Sequence, residues 1–221
     1  RVHLSCPRPA RRILEGRYVR LEPLGAEHAE CLYAACAGPD NVARFAYLPD
    51  PPPQSPAEIR SWVERASRSE DPLFFAVVER ATGRCEGRQA LMRITPEHGV
   101  IEIGSIYWGP AIARRRAASE ALYLHARYVF DTLGYRRFEW KCNDRNAPSK
   151  RAAVRFGFRF EGVFRQHMWV KGANRDTAWF SMLDGEWPAL RAEFERWLDP
   201  ANFDAAGDQR SRLDAAARRD T

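Results

Sequence analysis

The sequence lacks any C-x-x-C pair, and its five cysteines (Cys6, Cys31, Cys36, Cys85 and Cys142) are an odd number scattered along the chain. Both facts argue against a disulfide framework and against a zinc knuckle, so reduced thiols in a cytoplasmic protein are the expectation, with no metal site. No apolar run approaches the roughly eighteen residues of a membrane span. The opening stretch, R-V-H-L-S-C-P-R-P-A-R-R, has neither the apolar core of a signal peptide nor an initiator methionine, which leaves the true start open upstream. No repeat of fixed period appears, and no known RNA- or DNA-binding motif accompanies the arginines.

The composition is that of an ordinary globular protein, 45% hydrophobic and 29% charged in 221 residues, enough for one well-filled core. A net charge of +6 admits an anionic partner of any kind. Arginines gather at 8–12, 114–116 and 210–219. A small phosphate-bearing ligand at one of these clusters fits as well as nucleic acid does.

Residues 1–15 read as a Pro/Arg-rich N-terminal extension, 16–198 as a single domain, and 199–221 as a polar C-terminal tail with too little apolar content to pack firmly. Tyr18 to Leu24 makes a first strand that Pro23 ends, and Ala26 to Ala37 a helix stopped by Gly38-Pro39. The segment N-V-A-R-F-A-Y-L-P-D-P-P-P-Q is expected as a proline-pinned loop whose Phe45, Tyr47 and Leu48 either wall a pocket or plug one end of the core. Ser55 caps a second helix with Pro56 at its first position, Glu58 at its third and a stripe of Ile59, Trp62, Val63 and Ala66. Strands follow at Leu73 to Val78 and Gly87 to Ile94 around a Thr82-Gly83 turn. Late in the chain, Phe158 to Val170 and Asp176 to Leu183 flank a hairpin turn at Lys171 to Asn174, and Glu186 to Leu198 is a last helix.

The middle of the chain is the informative part. An apolar strand, I-E-I-G-S-I-Y-W at 101–108, runs into the basic loop G-P-A-I-A-R-R-R-A-A at 109–118. A long helix follows with Ala118, Leu122, Ala126, Val129 and Leu133 on one face and Gly134 at its end. From Arg136 to Cys142, the apolar Phe138, Trp140 and Cys142 alternate with Arg137, Glu139 and Lys141, as in a half-buried strand. Asn146 then caps a short helix with Pro148 in its first turn and Gly157 at its end. The order of elements predicts a mixed α/β fold, with antiparallel hairpins early and late and helical crossovers between.

These residues resemble the GNAT acyltransferases, and within them the RimJ/RimL-like group of ribosomal-protein N-acetyltransferases. The resemblance spans about residues 17–184 and rests on strand order, the basic loop, N-x-x-S at Asn146 to Ser149, and R-F-G-F-R-F-E-G at 155–162. It implies a mixed central sheet flanked by helices, with parallel strands splayed to admit the cofactor arm. It also implies direct acetyl transfer from acetyl-coenzyme A to a primary amine. The family's diphosphate loop, R/Q-x-x-G-x-G/A, places Ala113, Arg116 and Ala118 on its three marked positions, and only the last matches. Where the usual glycine admits phosphate to the backbone, Arg116 offers a side chain instead.

By the same resemblance the cofactor meets Ile106, Tyr107 and Trp108 on a bulged strand, then Arg114, Arg115, Arg116, Ala117 and Ala118 at the helix start, and finally Asn146 and Ser149. Ser149 returns a proton to the coenzyme sulfur, and Asn146 holds the pantetheine arm. Glu102, an ionisable group on an apolar strand face, is the first candidate base, and His167 in the late hairpin the second. Tyr107 is an alternative proton donor. Phe45, Tyr47 and Trp169 would line the acceptor pocket, with Asp40 or Asp50 attracting a cationic amine. The acceptor itself stays open among a peptide N-terminus, an amino acid and a small amine, and a homodimer is an open reading too. A non-catalytic acyl-coenzyme A binding or interaction module is the competing function, and nucleic-acid binding ranks last.

Overall fold

A computed structural model describes residues 5–218. The ends of the expected extension (1–4) and tail (219–221) lie outside the described residues. The chain divides into two compact bodies, an N-terminal one of 8–94 and 103–128 and a C-terminal one made of the described parts of 1–7, 95–102 and 129–221. The fold is mixed α/β with a largely antiparallel sheet flanked by helices.

In the N-terminal body the strands run in the order β1 (Leu14–Glu15), β2 (Val19–Pro23), β3 (Leu73–Glu79), β4 (Cys85–Thr95) and the later part of β5 (Val100–Trp108). The first four pair antiparallel. Helices α1 (Ala29–Cys36) and α3 (Pro56–Arg68) bury Leu32, Cys36, Ile59, Val63 and Ala66 in one core cluster. The start of α3 is built as its sequence dictates: Ser55 Oγ accepts from the Glu58 N–H at 3.2 Å, and Pro56 sits where no donor is needed. The segment expected as a loop contains a short helix, α2 (Asn41–Phe45). Five residues are too few to show a stripe, so periodicity had nothing to register.

Helix α4 (Arg116–Arg127) widens into a π turn over Tyr128–Thr132 before Gly134, at φ +70. Its Glu120 is 4% exposed, yet the carboxylate accepts three backbone N–H groups, from Arg17, Tyr18 and Val19, at 2.7, 2.6 and 2.8 Å. One buried charge thus pins α4 to the turn between β1 and β2.

In the C-terminal body the order is the start of β5, β6 (Arg137–Asn143), β8 (Ala173–Leu183) and β7 (Arg159–Val170), with β6–β8 and β7–β8 antiparallel. The hairpin closes in two residues, Lys171 and Gly172, at φ +50 and +73, the paired left-handed conformation that suits strand twist. Helix α5 (Ala147–Arg155) starts at Asn146, whose Oδ1 accepts from the Ser149 N–H at 3.1 Å. It ends at Gly157, at φ +93, where a Cβ would stand 2.6 Å from Leu190 Cδ2 on α6 (Trp187–Leu198). The residues after α6, expected to stay loose, pack: Phe203, Leu213 and Ala215 are buried. Asn202 ties them down by donating to the carbonyls of Trp197 and Ser211. Composition alone hides this, because three well-placed apolar residues suffice.

Strand β6 also departs from its alternating pattern. Glu139 and Lys141, the polar members, have side chains only 9% and 5% exposed. Both faces of the strand are covered, and one of them is a layer of ion pairs.

Candidate active site

The start of α4 lies within the N-terminal body. Arg115 is its N-cap and supplies no side-chain cap to the first turn, Arg116 to Ala118. Arg114 stands in the left-handed region at φ +64. That conformation costs a non-glycine residue about 1–2 kcal/mol and turns successive N–H groups toward one side. Arg114 and Arg115 are exposed, and Ala117 and Ala118 are buried beneath them. Arg116 faces elsewhere: its guanidinium lies 4.2 Å over the Tyr18 ring. Backbone donors, two exposed cations and the positive end of a helix dipole fit a diphosphate.

Strand β5 has its irregularity at Ser105, φ +48, inside the span 104–107 where a bulge is expected. Ile106 is half-buried. Tyr107 turns inward, its hydroxyl donating to the Ala35 carbonyl at 2.8 Å, and burial pushes its phenol above the ordinary range. Such a group is committed to the core rather than to proton donation. Trp108 Nε1 donates to Gln89 Oε1 at 3.0 Å. Gln89 Nε2 in turn reaches the Ala121 carbonyl (2.9 Å) and His125 Nδ1 (2.8 Å) on α4. Gln89 therefore fixes the end of β5 against α4, and no sequence pattern announces it.

In the C-terminal body, Glu102 is buried and ion-paired: Lys141 Nζ stands 3.0 Å from its Oε2 and 2.8 Å from Glu139 Oε2. Arg137 continues the chain of charge, bridging Glu139 and Glu161, and Ser181 donates to Glu161 at 2.7 Å. The Lys141 ammonium also lies 4.0 Å over Trp179, its direct cross-strand partner. His167 sits beyond Trp179, ring centroids 6.0 Å apart, with Nδ1 2.9 Å from Thr177 Oγ1. Glu102 and His167 are thus linked through Lys141 and Trp179. Lys141 escapes sequence reading because alternation assigns it to solvent; the signal available is its opposite sign to Glu102.

Ser149 lies on the other face of β6. Trp140, next to Lys141 and so pointing the opposite way, donates its indole N–H to Ser149 Oγ at 3.0 Å. The hydroxyl accepts there, and its own proton has the Cys142 sulfur, on the same face of β6, within hydrogen-bond reach. Asn146 spends its Oδ1 on the helix cap, which leaves the amide NH2 as the donor end of that side chain. The glycine and glutamate of the downstream motif are structural: Gly157 lets α5 meet α6, and Glu161 joins the ion-pair layer.

Of the aromatic residues assigned to an acceptor pocket, Phe45 and Tyr47 belong to the N-terminal body and Trp169 to the C-terminal one. Phe45 is in the core cluster, 4.9 Å from the Tyr107 ring, while also lining a cleft between α1 and α3. Tyr47 is 43% exposed and Trp169, in the C-terminal body, 75% exposed. Of the two aspartates, Asp50 lines the same cleft as Phe45.

Residues 19–159 match the family described as the acetyltransferase (GNAT) domain. The solved structure of a GCN5-related N-acetyltransferase from Brucella melitensis is 59% identical, with a TM-score of 0.95 over 99% of this chain and 98% of that one. A probable acetyltransferase of the GNAT family from Chromobacterium violaceum is 39% identical, with a TM-score of 0.77 over 84% of this chain and 92% of that one. The uncharacterized N-acetyltransferase p20 of Bacillus licheniformis is 30% identical over 117 residues, a match spanning 51% of this chain and 63% of that protein. The family match runs from the first residue of β2 to the first of β7 and takes in the irregular β5, the uncapped α4 and the Asn146–Ser149 turn. The chain belongs to the GNAT acetyltransferase family.

Proposed function

We propose that this protein is an N-acetyltransferase moving an acetyl group directly from acetyl-coenzyme A to a primary amine in the cytoplasm. Within the family we place it near the ribosomal-protein N-acetyltransferases, on its N-x-x-S and G-F-x-x-E-G motifs. Five free cysteines agree with a reducing compartment. The observation that carries the reading is Ser149: a hydroxyl at the start of α5, oriented by the Trp140 indole and set beside the Cys142 sulfur, where a coenzyme sulfur would compete for its proton.

GNAT acetyltransferases use acetyl-coenzyme A, which supplies the acetyl group as an activated thioester. Arg114, Arg115 and the first-turn donors of α4 hold the diphosphate, and the Asn146 amide holds the pantetheine arm. Ser149 Oγ–H donates to the sulfur as it leaves. Deprotonation of the amine belongs to the opposite face of β6, where Glu102 is the first candidate and His167 the second.

The test is an initial-rate assay of thiol release over a panel of amines. Replacing Ser149 by Ala is expected to lower kcat about 100-fold while the KM for acetyl-coenzyme A stays within about twofold, as for a group acting in the transition state. An unchanged kcat would remove Ser149 from the chemistry.

A further inference from the structure

Cys31 and Cys85 stand together in the N-terminal body, one in the first turn of α1 and the other at the first residue of β4. The Cys85 backbone N–H donates to Cys31 Sγ at 3.3 Å, and the two sulfurs lie within hydrogen-bond reach of each other. A register shift accompanies the contact. Val78 of β3 pairs with Cys85 and Val77 with Gly87, so Glu86 is an extra residue in β4. Cys85 Sγ also donates to the Gly87 carbonyl at 3.3 Å, and the residue packs in the core cluster that α1 and α3 help to build.

The two thiols are unequal. Cys31 is half-buried and reachable from solvent, whereas Cys85 is buried. The Cys85 thiol beside it holds Cys31 below the ordinary thiol range, and the same contact together with burial pushes Cys85 well above it. Of the charged neighbours, His28 favours the anion at Cys31 and Glu86 opposes it at Cys85. A partly exposed thiolate against a protonated thiol is the arrangement of an attacking and a resolving sulfur. The other three cysteines are buried and differently engaged. Cys6 donates to the Gly134 carbonyl, Cys36 faces the Tyr107 hydroxyl and Cys142 the Ser149 hydroxyl, and burial pushes each of these thiols up.

We propose that Cys31 and Cys85 are an oxidation-sensing pair, which a hydroperoxide such as hydrogen peroxide closes into a disulfide bridging α1 to β4. The Cys31 sulfur attacks a peroxide oxygen, the O–O bond breaks, and the departing oxygen leaves as water once protonated, with Cys31 now a sulfenic acid. Cys85 then gives up its proton, its sulfur bonds to that of Cys31, and the S–O bond breaks to release a second water. Two thiols are oxidised by two electrons and one peroxide is reduced to two waters. A dithiol reductant reverses the bridge by exchange. The chemistry uses no group of the acetyl-transfer site and stands apart from that reading.

The experiment treats the fully reduced full chain with dilute hydrogen peroxide. Free thiols are expected to fall from five to three per chain, with no dimer on a non-reducing gel, and to return with dithiothreitol. Trypsin leaves Cys31 and Cys36 in one peptide, so fragmentation of the bridged peptide must assign the bond to Cys31, and Cys36→Ser should keep it. Cys31→Ser should slow the peroxide-driven loss of thiols at least about tenfold. Cys85→Ala should leave Cys31 as a sulfenic acid that dimedone traps. Should that core change unfold the chain, iodoacetamide labelling of the reduced wild type decides, with Cys31 labelled at least about tenfold faster than any other cysteine at neutral pH. A bridge through Cys6, Cys36 or Cys142, a bridge between chains, or Cys31 oxidised past the sulfenic acid with Cys85 still free would overturn the proposal. Equal labelling of all the cysteines, or no loss of thiols, would do so too.

Discussion

His125 is wholly buried on α4, edge-on to Phe75 at 4.8 Å, with Nδ1 held by Gln89 and Nε2 unpartnered. Burial lowers its pKa to about 3 from the usual 6.5. The unfolded chain therefore takes up a proton below about pH 6.5 that the folded chain refuses until about pH 3. Stability from this group is full above the upper value and is lost as pH falls through that window, by at most about 4–5 kcal/mol. Replacing His125 by Gln should flatten the fall in urea midpoint between pH 7 and pH 4.5, and an unchanged slope would put the acid sensitivity elsewhere. At this scale the sequence displays some roles and conceals others. The helix cap at Asn146 is legible because a cap residue, a proline and a motif coincide within four residues. Gln89 and Trp140 are not, since each acts by bonding a residue that is distant or on another element.

Helix α4 is held by its own first half. Glu120 receives three N–H groups from the β1–β2 turn, and an amide in its place would aim a donor at donors. Glu120→Gln is expected to cost roughly 2–4 kcal/mol, seen as a lower denaturant midpoint with an unchanged slope. A shift under half a kcal/mol would mean that water replaces the carboxylate. The long elements are legible in the sequence because their periodicity persists: α3, α4, β4, β5 and the β7–β8 hairpin lie where pattern and turn residues put them. The short elements α2 and β1 leave no period to read, whereas β2, as short as α2, is marked by the proline at its end. The charged face of β6 is misread for a different reason, because alternation says which residues share a face and not whether that face is wet.

For the whole molecule, family and fold follow from a few residues in the middle of the chain. The departure at Arg116 from the family's glycine is absorbed locally, since its side chain stacks on Tyr18 and the N-cap Arg115 places no side chain on the first turn of α4. Direct acetyl transfer requires that this turn take up acetyl-coenzyme A. The deciding measurement is a calorimetric titration of acetyl-coenzyme A into the wild-type chain and into an Arg114→Glu, Arg115→Glu variant, whose changes are exposed and leave the core untouched. The account predicts micromolar binding that weakens at least about tenfold in the variant, because two cations at the positive end of a helix become anions. No heat and no thermal shift at millimolar cofactor, or equal affinity in the two proteins, would contradict it.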